Sequence, residues 1–191
     1  MSKVYIWSDL HLGHKNIHKF RRGFSSAEEH HSIVYENLLS TVGKRDTVYF
    51  LGDVAFDLEW LEKIRDFKCA NKILVMGNHC INGQVTIKEL AIAYRHIYSL
   101  TSKKGYWLSH CPIHPKEMRS RIGCIHGHTH PYLMLKENMW GHEIIDTAYK
   151  NVCLEYTDYK PILLPYVMSD EYTQECAKLW NDRYSGGCGE N

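Results

Sequence analysis

Two histidines near the middle of the second half of the chain stand where side chains could do chemistry. They follow the apolar residues Cys124-Ile125 in the run Gly127-His128-Thr129-His130, which predicts a buried strand ending in a turn that presents imidazoles. Neutral imidazole is the commonest metal ligand in proteins, and two at this spacing can share one ion or serve two neighbouring ions. A chance pair is the alternative, because 13 of the 191 residues are histidine.

Three other predicted strand ends also carry oxygen or imidazole ligands. Each follows an apolar run, and the three read Asp9-x-His11, Gly52-Asp53 and Gly77-Asn78-His79. Metal-ligating side chains at so many strand ends are hard to explain as surface decoration. The sequence therefore favours metal binding over chance.

The elements that carry these residues alternate between strand and helix in the first half. Ser25 and Ser26 each precede a glutamate by three residues, so two registers of a capping box can start a helix there. A basic segment over 15–22 is predicted to be an irregular loop with mostly solvated charges. The strand–helix–strand order implies crossover connections and parallel strands. Strands are predicted over 3–7, 48–51 and 72–76, and a second helix over 58–67.

The second half is predicted to be mostly strand, with His110 delivered by one strand end. Two sheets packed face to face with helices outside is the expected architecture, within a single domain over 1–184. The tail over 185–191 is expected to be disordered. Predicted helices cover 84–94 and about 170–183, and predicted strands cover 96–100, 106–109, 143–147, 152–156 and 162–164.

Composition limits the classes of function. The 191 residues are 44% apolar, enough for a substantial core, and the net charge of +1 gives no general attraction to nucleic acid or anionic membranes. No apolar run approaches the roughly 18 residues of a membrane span, and the first residues lack a signal-peptide pattern. Seven cysteines, an odd number without a C-x-x-C pair, predict a reducing cytoplasm.

The ordered motifs resemble the calcineurin-like metallophosphoesterase superfamily. The resemblance extends from Tyr5 to about Leu164. The stretch 8–17, together with Asn151-Val152 and Tyr159-Lys160-Pro161, further resembles small, minimal members from bacteria and their phages. It implies an α/β fold, a four-layer α/β/β/α sandwich of two packed mixed sheets flanked by helices, with a two-metal site. The motifs are Asp9-x-His11, Gly52-Asp53, Gly77-Asn78-His79, His110 and Gly127-His128-x-His130.

The resemblance also implies a role for each motif residue. Asp53 matches the carboxylate that bridges two ions, and His79 matches the general acid that protonates the leaving oxygen. The mixture of oxygen and imidazole without thiolate suits two divalent transition-metal ions, Mn, Fe, Ni or Zn, with Mn favoured. One ion would be held by Asp9, His11 and His130, and the other by Asn78, His110 and His128.

The expected function is hydrolysis of a nucleotide-type or other small phosphodiester by a cytoplasmic, dinuclear metal-dependent phosphodiesterase. A phosphomonoesterase or protein phosphatase is one alternative, and a catalytically silent, metal-bound interaction module is another. Cys80 replaces the acidic residue that the family usually has after Gly-Asn-His, which puts the support of His79 in doubt. The short chain leaves no room for an extra domain that would grip duplex DNA.

Three residues near the motifs have open roles. His14 either touches substrate phosphate or is an ordinary loop residue. Tyr106 and Trp107, shortly before His110, are predicted to pack in the core, with a base-binding pocket as the alternative.

Overall fold

Eleven strands and six α-helices form the part of the chain that the computed structural model describes, residues 2–21 and 23–184. The strands are β1 (Val4–Trp7), β2 (Thr47–Phe50), β3 (Asn71–Val75), β4 (His96–Tyr98), β5 (Thr101–Lys103), β6 (Tyr106–Leu108), β7 (Gly123–His126), β8 (Leu135–Glu137), β9 (Glu143–Ile145), β10 (Tyr149–Asn151) and β11 (Ile162–Leu163). The helices are α1 (Ile17–Phe20), α2 (Ala27–Thr41), α3 (Leu58–Asp66), α4 (Ile87–Ala93), α5 (Leu164–Val167) and α6 (Asp170–Tyr184). Two 3-10 helices cover Pro115–Glu117 and Leu154–Tyr156.

The first sheet has the strand order β11-β1-β2-β3-β4. Strands β1 to β4 are parallel, and β11 is antiparallel to β1. The central strands are rich in β-branched and aromatic residues and are buried on both faces, as parallel strands covered on two sides require. The predicted parallel first half is therefore confirmed.

Helices α2, α3 and α4 cover one face of this sheet. Trp7, Phe50 and Leu74 point from the strands into a core that also contains Leu38 of α2 and Leu61 of α3. Side-chain caps begin all three helices. Ser26 accepts a hydrogen bond from the backbone N–H of Glu29, Asp57 caps α3, and Thr86 forms a capping box with Glu89 at α4.

The second sheet has the order β10-β7-β6-β5, with β5 antiparallel and the others parallel. Ile6 and Leu51, from the other face of the first sheet, meet Leu108 and Ile125 of the second in one buried cluster. Tyr172 of α6 completes this cluster. Strands β8 and β9 form a separate hairpin. Two mixed sheets flanked by helices, the predicted architecture, are thus confirmed.

The segment 152–156 was predicted to be a strand, and this prediction is wrong. Strand β10 ends at Asn151, and the next residues turn into a 3-10 helix. The Asn151 side-chain oxygen accepts a hydrogen bond from the backbone N–H of Cys153 at 2.9 Å. Its amide nitrogen donates to the carbonyl oxygen of His130 at 2.9 Å. One more ladder bond follows, from the Val152 N–H to the His126 carbonyl oxygen at 2.8 Å, and Cys153 forms only an isolated bridge with Ser8. Beyond that point the side-chain bonds of Asn151 hold the turn.

Smaller differences occur elsewhere. The basic segment 15–22 contains the single helical turn α1, and the described chain also has helix α5 and strands β5, β8 and β10, which the sequence pattern did not predict. The predicted disordered tail over 185–191 lies outside the described residues. No helix among the residues described is long and apolar enough to cross a membrane.

Candidate metal centre

The loops that follow five strands bring all seven predicted ligands to one end of the two sheets. Backbone hydrogen bonds tie these loops together. The His11 N–H donates to the Asp53 carbonyl oxygen at 2.9 Å, and the Gly127 N–H donates to that of His110 at 2.9 Å. Asp9 and His11 follow β1, Asp53 follows β2, Asn78 follows β3, His110 follows β6, and His128 and His130 follow β7.

One half of the centre is built around the carboxylate of Asp9. Its Oδ1 lies 3.6 Å from Nε2 of His11 and 3.8 Å from Nε2 of His130. Both Asp9 Oδ1 and His11 Nε2 are buried and have no hydrogen-bond partner. A buried carboxylate oxygen and a ring nitrogen without partners are costly. A cation between them would satisfy both, so this group fits a metal ion.

The other half is built around Nε2 of His110. This atom lies 2.8 Å from Oδ1 of Asn78, 3.2 Å from Nδ1 of His128 and 3.4 Å from Oδ2 of Asp53. On the far side of the ring, Nδ1 is 2.7 Å from the carbonyl oxygen of Leu51, which places a proton on Nδ1. With that proton on Nδ1, a neutral His110 ring would turn its Nε2 lone pair toward the same point as an amide and a carboxylate oxygen, as a cation bound there requires.

Asp53 stands between the two halves. Its Oδ2 lies 3.4 Å from His110 Nε2 and 4.0 Å from His11 Nε2. Its Oδ1 accepts the backbone N–H of His79 at 3.0 Å, which fixes the carboxylate plane. One carboxylate oxygen is therefore within reach of both ligand groups.

The backbone is strained where these ligands sit. Nine non-glycine residues of the described chain have positive φ, and five of them are predicted metal ligands. Such a conformation costs about 1 to 3 kcal/mol per residue and persists only where the surroundings enforce it. Side chains aimed at a common point justify that cost. The five φ values are 60° at Asp9, 51° at His11, 51° at Asp53, 68° at His128 and 49° at His130.

Two motif glycines allow the loops to come this close. Gly52 has φ +89°, and a Cβ there would collide with the His110 ring. A Cβ at Gly127 would collide with the hydroxyl of Ser8 and the carboxylate of Asp9. The Gly-Asp and Gly-His pairs of the sequence thus reflect close approach between loops.

The carboxylates of the centre are held in their ionised form. Burial raises the pKa of Asp9, but the nearby rings of His11, His110 and His130, which attract the carboxylate when they are protonated, outweigh burial and hold the pKa well below its usual range. Asp53 behaves similarly, since burial is opposed by the hydrogen bond and charge of His110, and its pKa is lowered. Two buried anions surrounded by imidazoles form a site with strong preference for cations.

A buried ion pair behind His130 was missed in the sequence. Oε1 of Glu155 lies 3.3 Å from Nδ1 of His130 and 3.5 Å from Nε of Arg21. Arg21 is 1% exposed at its side chain and also donates from Nη2 to the carbonyl oxygen of Asp9 at 2.5 Å. Arg21 lay in a segment interpreted as solvated, and Glu155 in the segment wrongly predicted as strand. No local pattern marks either residue.

Phe56 is a second residue that the sequence pattern did not single out. Its ring stacks on His11 at 5.0 Å between centroids and lies 5.5 Å from the ring of His79. His14 meets the same ring edge-on at 5.3 Å. Phe56 therefore packs against the predicted general acid and one predicted ligand at once. The side chains of Asn78 and His79 are themselves exposed at the mouth of the centre.

Cys80, where the family usually has an acid, joins two loops as a neutral thiol. Its sulfur accepts backbone N–H groups from Gly77 at 3.1 Å and Asp53 at 3.4 Å. Burial raises its pKa to about 11. Cys111 also adjoins a predicted ligand. Its sulfur and one ring nitrogen each of His110 and His128 lie within 4.8 Å of one another.

Replacing Glu155 by glutamine should weaken metal binding. The carboxylate holds the His130 proton on Nδ1 and leaves Nε2 free, and outer partners of this kind change metal affinity by about 10- to 100-fold. Isothermal titration of the metal-stripped protein with Mn²⁺ measures the effect. Glu117→Gln is the control, because it breaks only an exposed pair with Arg119. Equal affinities in the two variants would contradict a supporting role for Glu155.

Replacing Cys80 by aspartate should leave metal content unchanged and alter the rate by no more than about 100-fold. The backbone N–H groups of Asp53 and Gly77 can bond a carboxylate as they bond sulfur. Metal content by mass spectrometry and turnover on a phosphodiester measure the result. If the natural protein hydrolyses none of the esters tested and the Cys80→Asp variant does, the natural protein is a catalytically silent interaction module.

Several known proteins are similar to this chain in sequence. The sequence matches the calcineurin-like phosphoesterase family over residues 2–181. It is 30% identical over 176 residues to an uncharacterized protein of Methanocaldococcus jannaschii, covering 88% of this chain and 90% of that protein. It is 37% identical over 84 residues to the gene 66 protein of Mycobacterium phage L5, covering 41% of this chain and 40% of the phage protein.

A solved structure shares the fold. The chain resembles a protein of unknown function from Aquifex aeolicus with a TM-score of 0.64 and 27% sequence identity. The match covers 87% of this chain and 98% of that protein. With the family match spanning nearly the whole sequence, the chain belongs to the calcineurin-like phosphoesterase family.

Proposed function

We propose that this protein is a dinuclear metal-dependent phosphodiesterase that hydrolyses a nucleotide-type or other small phosphodiester. The family supports metal-dependent phosphoester hydrolysis in general. The observation that carries the dinuclear assignment is the position of Asp53, whose Oδ2 lies within 4.0 Å of ring nitrogens from both ligand groups. Asp9, His11 and His130 would hold one ion, and Asn78, His110 and His128 the other.

The ions would supply charge neutralisation and an acidified water, for which two cations about 3.5 to 4 Å apart are suited. The oxygen and imidazole donors favour Mn, Fe, Ni or Zn, among which we propose Mn. The chain's own contribution is positioning. Asp53 and Asp9 keep their charge, and Leu51 fixes the His110 tautomer through its carbonyl oxygen.

His79 is the group that we assign to the leaving oxygen. Its backbone is anchored to Asp53, its ring packs on Phe56, and its side chain is exposed at the mouth of the centre. An imidazole there can hold a proton close to the departing oxygen of an ester bound at the centre. Positioned proton transfer of this kind contributes about 10²- to 10⁴-fold to the rate.

The proposed substrate is small and accessible, and the proposed compartment is the cytoplasm. The six cysteines in the described part of the chain are free thiols, which supports a reducing compartment.

A screen of metal against substrate tests the proposal. The protein is stripped with a chelator, reloaded with Mn, Fe, Ni, Zn or Mg, and assayed on bis-p-nitrophenyl phosphate, p-nitrophenyl phosphate and 2′,3′- and 3′,5′-cyclic nucleotides. We expect two ions per chain and a preference for diesters. A preference for monoesters with every metal would contradict the diesterase proposal and favour a phosphomonoesterase or protein phosphatase.

A further inference from the structure

A cavity of about 390 Å³ lies directly beside the centre. His11 and His130 form part of its wall, so it opens onto the half of the centre that contains Asp9. Pockets that bind small molecules measure about 300 to 1,000 Å³, which makes this one large enough for a nucleoside-sized group. Its outer wall is mainly apolar and is formed by Ile17, Phe20, Pro131 and Tyr132.

Two aromatic rings stand at the cavity with large exposed surfaces. Phe20 is 76% exposed and Tyr132 is 63% exposed. Each is held edge-on by another ring, Phe20 by His14 at 6.0 Å and Tyr132 by Trp180 at 6.0 Å between centroids. These contacts orient the rings and leave much of their surface available to a ligand.

The cavity shares its walls with the centre. Phe20 ends α1, which lies in the loop after β1 that also carries His11, and Tyr132 follows His130 by two residues. Loops that place two predicted ligands thus also place the two exposed rings. A group held in the cavity would stay within covalent reach of a phosphate at the centre.

The charge of the cavity argues against a second anion as its occupant. Arg21, a cation in its lining, is already paired with Glu155 and bonded to the Asp9 carbonyl oxygen. The carboxylate of Glu155, which lies 3.5 Å from Nε of Arg21, also lines the cavity. A neutral, planar group suits these walls better than a further phosphate.

We propose that this cavity binds the base of a nucleotide diester by stacking on Phe20 and Tyr132 while the phosphate lies at the metal centre. The inference rests on the proposed phosphodiesterase function and names its substrate class. Aromatic side chains stack on any base, because every base has a π-face. The site should therefore favour nucleotides over simple alkyl esters and discriminate weakly among bases.

Two substrates with the same leaving group test the proposal. Thymidine 5′-(p-nitrophenyl phosphate) carries a base on the non-leaving side, and methyl p-nitrophenyl phosphate carries none. Phe20→Ala and Tyr132→Ala should each raise KM for the thymidine ester by about 5- to 100-fold, the range for loss of a base-stacking ring, with little change in kcat. KM for the methyl ester should stay unchanged.

Two matched variants serve as controls. Tyr132→Phe keeps the ring and should behave like the natural protein. Trp140→Ala removes an aromatic ring that is 74% exposed on the β8–β9 hairpin but does not line the cavity, and it should leave both KM values unchanged. The high exposure of Phe20 and Tyr132 means that neither alanine variant removes a core residue.

The outcomes separate this inference from the function on which it rests. Equal changes in KM for both esters, or none for either, would overturn the base-binding assignment and leave the phosphodiesterase intact. Hydrolysis of neither ester with any metal would contradict the proposed function. Calorimetric binding of thymidine 5′-monophosphate, compared with inorganic phosphate, then tests the cavity directly. Tighter binding of the nucleotide that disappears in Phe20→Ala supports it, and an unchanged difference overturns it.

Discussion

Replacing Asp53 by asparagine is expected to abolish turnover and remove at least one bound ion. Asn retains the shape of the side chain but loses the negative charge, and only one of its terminal atoms can accept a metal bond. Asp53 is buried and its Oδ2 faces His11 and His110 from both halves of the centre. The metal content, measured by mass spectrometry, and the turnover rate on a phosphodiester should fall together. The metal-loaded variant should also melt at a lower temperature, because bound metal stabilises the fold.

Asp57→Asn is the matched control for this change. Asp57 caps α3 through a bond from the Trp60 N–H, and asparagine is an equally good capping residue. That variant should retain both ions and its melting temperature. Full occupancy by two ions with normal turnover in Asp53→Asn would exclude Asp53 as the bridging ligand.

Replacing His79 by asparagine is expected to slow hydrolysis by an amount that depends on the leaving group. An alkyl or nucleotide oxygen needs a proton to depart, whereas a nitrophenolate leaves without one. The loss should therefore be about 10²- to 10⁴-fold on a nucleotide diester and much smaller on a nitrophenyl ester. Steady-state kinetics on both substrates measure the ratio.

His142→Asn is the control for His79, because His142 is exposed near the β8–β9 hairpin, away from the centre. It should leave both rates unchanged. Equal losses on the two substrates in His79→Asn would assign His79 to binding or structure. In that case the structural role of His79 would be the packing of its ring against Phe56.

The sequence pattern predicted where these strands lie, because an apolar run and the polar residues that follow it are adjacent in the chain. Each of these apolar runs is a buried strand, and the loop directly after it carries a side chain that turns into the centre, as at Asp9, Asp53 and Asn78. Periodicity failed at 152–156, because side-chain hydrogen bonds of Asn151 hold a turn there. Burial pattern alone cannot report such a bond.

Long-range partners could not be predicted in the same way. Arg21 and Glu155 are separated by more than 130 residues, and each looks like an ordinary surface charge in its own segment. The sequence also could not decide whether Tyr106 and Trp107 pack in the core or border a base-binding pocket, because the choice depends on residues distant in the chain. Tyr106 is buried in the core between the sheets, and the guanidinium of Arg121 covers the ring of Trp107. Two exposed rings beside the centre are instead Phe20 and Tyr132.

The left-handed backbone conformation at five predicted ligands affects which residues are expected at these positions. At about 1 kcal/mol or more each, these residues reduce the stability of a domain whose net stability is typically about 5 to 15 kcal/mol. Glycine at any of them would relieve the strain and remove a ligand. A lineage selected only for a durable fold would therefore drift toward glycine at these positions. Aspartate and histidine at these positions therefore cost stability that only a use for their side chains would offset.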